Sequence, residues 1–71
     1  MKTEIEIRIK IAQITNDSLH VLDCGPATME VNAPRAIMQI TAKTALDELY
    51  WILGEKRPKF KCDDFTKQNH G

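Results

Sequence analysis

The sequence is short of several residues on which small folds often depend. Its 71 residues include two cysteines, three glycines and three prolines, and its ten basic and ten acidic side chains cancel to no net charge. Each shortage excludes something. Two cysteines, Cys24 and Cys62, cannot build the disulfide framework of a small secreted domain, so both are expected as reduced thiols. Three scattered glycines supply no phosphate-cradling loop. A neutral chain with a pI near 6.7 lacks the broad positive field of a typical nucleic-acid binder. No apolar run approaches the ~20 residues that cross a bilayer. The opening segment carries charge at every second position, unlike a charged-then-apolar leader, so no membrane partner and a cytoplasmic location are expected.

What is present is the composition of an ordinary globular chain, 42% hydrophobic and 28% charged, enough for one small domain. A domain of this length buries only about 60% of its unfolded surface, and oligomerisation is a common remedy for so thin a margin.

The stretch EIEIRIKI, residues 4–11, alternates charge with isoleucine. Period two with β-branched residues predicts a half-buried strand over residues 3–14. Thr15-Asn16-Asp17-Ser18 supplies turn residues, and LHVLDC then predicts a second strand ending at Gly25-Pro26. Residues 27–31 form a short third strand. Asn32 is a good helix N-cap ahead of Pro34, and Gly54 is a good C-terminal stop, so one long helix is expected over residues 34–53. Its core stripe runs through Met38, Ala42, Ala45, Leu46, Leu49, Ile52 and Leu53. The competing reading makes residues 35–41 a fourth strand, with a shorter helix from Thr44. The assembled expectation is an α+β, two-layer fold. A small antiparallel β-meander of two to three strands packs against one long C-terminal helix, with residues 1–57 as a single ββ(β)α domain and residues 58–71 as a polar, irregular tail.

Residues that carry chemistry are sparse. His20, Cys24, Cys62 and His70 are metal-ligand types at the wrong spacing, and Asp47-Glu48 and Asp63-Asp64 are adjacent acids of the kind usually solvated; no metal, cofactor or enzymatic activity is expected. The basic segment Lys56, Arg57, Lys59, Phe60 and Lys61 could track phosphates while stacking a base, which is the alternative reading as a nucleic-acid-binding regulator. Stronger signals come from the faces left over. Ile37, Ile40, Thr44 and Trp51 fall on a flank of the long helix away from its core stripe, and bare isoleucine and tryptophan there suggest contact with another protein. On the first strand Glu4 and Glu6 precede Arg8 and Lys10. An antiparallel pairing of two copies about Ile7 would set Glu4 against Lys10 and Glu6 against Arg8, giving a homodimer with a continuous sheet. The expected protein is a small non-enzymatic interaction module of the inhibitor, adaptor or subunit type, working as a homodimer.

Overall fold

The computed structural model describes residues 3–63, and these form a helical hairpin with a C-terminal strap. Helix α1 spans Glu4–Leu22, helix α2 spans Met29–Leu53, and a single 3-10 turn covers Lys61–Asp63. There is no strand among the described residues. The expected α+β fold and its β-meander are therefore wrong, and the long helix is the one element of that picture that stands.

The error in the first segment has a physical cause. Alternation puts isoleucine at positions 5, 7, 9 and 11, which satisfies a strand, but Ile7, Ile11 and Ile14 also recur at helical spacing and the stripe continues to Val21 and Leu22. That stripe packs on α2: Ile7, Ile11, Val21 and Leu22 are buried, whereas Ile5 and Ile9 point to solvent at 72% and 52% exposure. Thr3 caps the helix, its hydroxyl accepting a 3.2 Å hydrogen bond from the Glu6 N–H, in the Thr-x-x-Glu spacing of a capping box. The turn-forming run at residues 15–18 is helical as well. Packing of the flanking Ile14, Val21 and Leu22 outweighs its local preference.

The self-pairing strand falls with the sheet. Glu4, Glu6, Arg8 and Lys10 lie on a helix, where no ladder can form. Arg8 is engaged within the chain instead, by Glu4 one turn earlier at 2.8 Å and by Glu55 at 2.5 Å. The segments expected as second and third strands are the end of α1, the connection, and the first turn of α2, which Thr28 caps by accepting from the Val31 N–H at 3.2 Å.

Helix α2 follows the expectation closely. Asn32 has non-helical dihedrals (φ −152°, ψ 80°) and divides a single leading turn from the main body. Its side-chain oxygen accepts from the Arg35 N–H at 3.2 Å, the N-cap role its position implied. Gly54 ends the helix in the left-handed region at φ 72°, where a side chain would be strained. Only the width of the core stripe differs. Ala42 and Leu46 are buried, but Met38 and Ile52 remain 41% and 58% exposed, because α2 meets one helix rather than the breadth of a sheet.

A side chain on α2 also holds the connection in place. Gln39, only 2% exposed, donates to the carbonyls of Val21 and Gly25 at 2.9 and 3.0 Å and accepts from the Ala27 N–H at 2.9 Å. Burial of an amide is tolerable only when its polar atoms are satisfied in this way.

The core is small. Ile7, Ile11, Leu22, Ala42, Leu46 and Cys62 form one cluster, with Ile14, Leu49, Tyr50, Leu53 and Phe60 packed around it. Leu46 is fully buried at its centre. Leu46→Ala is expected to cost about 2–4 kcal/mol, a large share of what so small a domain possesses, and urea denaturation followed by circular dichroism measures it.

Candidate functional site

The surface divides into three regions, set by which direction each helix turns a given residue. Successive residues advance about 100° around the axis, so a helix packed along one stripe presents two flanks and an outer edge.

One flank of the hairpin is closed by the chain itself. After Gly54 the strap runs back along the groove between the two helices and places Phe60 and Cys62 against the core, with Cys62 fully buried. Arg57 is the clasp. It donates to Asp47 on α2, to the Pro58 carbonyl at 2.9 Å, and to both Asp63 oxygens at 2.8 and 3.1 Å. Its guanidinium also lies over the Phe60 ring, 5.5 Å from the centroid, a favourable cation–π arrangement. Asp63 accepts in addition from the Phe60 N–H at 2.9 Å and lies 3.5 Å from Lys43.

This clustering sets the ionisation of the strap. Hydrogen bonding to Arg57 pulls the Asp63 carboxyl down to about 2 against the opposing effect of burial, with help from the Phe60 N–H. Burial pushes the Cys62 thiol up from its ordinary value, away from the reactive thiolate. Arg8 holds the Glu55 carboxyl below its usual range.

The candidate nucleic-acid residues are distributed accordingly. Arg57 and Phe60 are committed to the clasp, and Lys61 reaches toward Asp23 at 3.9 Å. Lys56 and Lys59 are the members of the set exposed on the strap without such a contact. A phosphate-tracking surface would have to forgo its arginine and its stacking ring. Of the candidate metal ligands, the Cys24 thiol donates to the His20 carbonyl at 3.0 Å, and Cys62 is buried in the core; His70 lies outside the described residues, as does Asp64 of the acidic pair. Among the described residues no group of three such side chains is placed to hold a metal ion, and no helix is long and apolar enough to cross a membrane.

The outer edge of α2 carries the expected contact residues. Ile37, Ile40 and Trp51 are 51%, 57% and 81% exposed, and Thr44 is exposed between them. Ile40 and Thr44 also border a shallow recess with Lys43, Asp47, Arg57 and Asp63, so this edge adjoins the clasp without being covered by it.

Sequence reasoning did not anticipate the second flank. Two clefts run along it between the helices. The first, ≈ 460 Å³, is lined by Glu6, Ile7, Ile9, Lys10, Gln13 and Leu49. The second, ≈ 330 Å³, lies between Ile14, Asp17 and Ser18 on α1 and Met38, Thr41 and Ala45 on α2, with Ile37 at its rim where this flank meets the outer edge. The signal was available in the helical spacing of Lys10, Gln13 and Asp17, which a strand reading cannot show. Among the described residues the architecture is thus a helical hairpin strapped on one side and open on the other. No protein-family model, curated protein or solved structure matches the chain.

The ionisation of Asp63 makes the clasp pH-dependent. Its folded value lies below the ordinary carboxylate value of 3.8, so its contribution is present above that pH and is lost as the pH falls toward about 2. Asp63→Asn is expected to lower stability by about 1–2 kcal/mol at neutral pH, with the gap from the parent protein closing between pH 4 and 2. Denaturation curves across that range test it.

Proposed function

We propose that the protein is a small, non-enzymatic protein-interaction module, a helical hairpin that binds another protein through the outer edge of α2. The observation that carries this reading is the exposure of Trp51, 81% in the last turn of α2. Burying a tryptophan recovers more apolar area than burying most other side chains, and Trp is enriched among residues that dominate interfaces. Ile37 and Ile40 extend the patch along the same edge, and Thr44 sits between them and Trp51. Their spacing of three, four and seven residues suits an apolar groove or an amphipathic helix on the partner.

The balance of the whole molecule supports a binding role. Ten large apolar side chains stay exposed among the described residues, while eight apolar residues are buried. Isolated exposed leucines need no explanation, but a chain that exposes more large apolar groups than it buries is built to be covered. Both cysteines are free thiols, which accords with a cytoplasmic location.

Trp51→Ala should leave the helical content and unfolding midpoint of the isolated protein near those of the parent. Affinity for the partner recovered by capture on the immobilised parent protein should fall roughly 30-fold. Unchanged affinity would remove the α2 edge as the binding surface, and loss of folding would reassign Trp51 to stability.

A further inference from the structure

The flank opposite the strap has a pattern that fits one occupant. On α1 it presents Lys10, Gln13 and Asp17, all exposed. Neither Lys10 nor Asp17 has an ion-pair partner among the described residues. On α2 it presents Met38, Thr41, Ala45, Leu49 and Ile52. Ala45 and Ile14 border one cleft, and Gln13 and Leu49 border the other, so Gln13 and Ala45 stand at about the same height in the hairpin.

A two-fold axis lying across both helices at that height inverts each helix onto its own copy. On α1, Lys10 then faces the second copy's Asp17, and Asp17 faces the second copy's Lys10, about a centre beside Gln13. On α2, Met38 meets the second copy's Ile52 and Thr41 the second copy's Leu49, about a centre at Ala45. Charge is complementary on one helix and size on the other, and a single axis serves both. The small Ala45 at the centre lets the two α2 helices approach closely, while the larger residues at either end fill the remaining space. Every neighbouring pair of helices in the result is antiparallel, the arrangement of an up-down four-helix bundle.

We propose that this open flank is a homodimer interface, with a second copy of the chain stacked on it about an axis through the level of Gln13 and Ala45. It extends the reading of the protein as a binding module but uses a different face from Ile40 and Trp51, which stay exposed in the pair, while Ile37 stands at the border of the two faces. The dimer supplies the second layer that a lone hairpin lacks. It differs in kind from a strand-to-strand pairing, since it joins side chains across helix flanks and leaves Arg8 in its bonds to Glu4 and Glu55.

Charge reversal tests the register. By symmetry one substitution alters two ion pairs. Lys10→Glu should set acid against acid, and Asp17→Lys should set base against base. Each is expected to weaken dimerisation of the full chain by about tenfold or more in sedimentation equilibrium, and the double variant Lys10→Glu/Asp17→Lys should restore it. Both positions are exposed, so helical content should hold throughout, and circular dichroism checks that. A monomeric parent protein at all concentrations overturns the proposal. So does a dimer indifferent to the single reversals, or a double variant no better than the single ones. Trp51→Ala should leave the dimer intact, which separates failure of this interface from failure of the α2 edge.

Discussion

Two helices packed side by side enclose no interior. Each buries one stripe against the other and leaves two flanks bare, and the rest of this structure follows from how those flanks are treated. The chain closes one of them with its own C-terminal strap, placing Cys62 and Phe60 where a third helix would otherwise lie. Because the strap is short and mostly irregular, apolar contact alone would hold it weakly. The Arg57 clasp compensates by joining α2, the strap carbonyl and Asp63 through one guanidinium, whose planar fork of donors suits several acceptors at once. A lysine at that position could not reach the same set.

The electrostatics follow the same division. On the strapped flank both arginines are paired within the chain, Arg57 with Asp63 and Arg8 with Glu55. On the open flank Lys10 and Asp17 stand about two turns apart on one helix, too far to pair with each other. Apolar groups divide likewise, with Leu46 and Leu22 fully buried and Met38, Ile52 and Trp51 left on surfaces that face outward. The neutral overall charge therefore conceals an ordered distribution rather than an even one.

Much of α2 was legible in the sequence. Asn32 as cap, Gly54 as stop and the Ala42–Leu46 stripe are local signals that tertiary structure left intact, and the exposure of Ile37, Ile40 and Trp51 followed from their angle around the helix. α1 was misread because alternating isoleucines fit two periods at once over so short a stretch. The deciding marks lay at its edges: the Thr3–Glu6 capping pair, and Ile14, which breaks a strand's phase but keeps a helix's. Asn16 and Asp17 read as a turn because their side chains compete locally with the backbone. On an exposed helical face they cost little, and the packed residues either side decided the matter. The strap could not be read from local pattern at all, since Cys62 is buried in a cluster with residues as distant in the chain as Ile7, Ile11 and Leu22. The contact edge on α2 rests on exposure alone in both readings, and the open flank had no counterpart in the sequence reading.

The buried Gln39 bears on the order in which such a molecule assembles. Its three bonds reach Val21, Gly25 and Ala27, at separations of 18, 14 and 12 residues, so they close small loops at little entropic cost. Most other contacts are more local still, and such a topology belongs to the fast end of folding rates. The two helices can meet through this amide near their connection and zip outward from it. The strap lies on both helices, so the enclosure of the Cys62 thiol requires that they be paired.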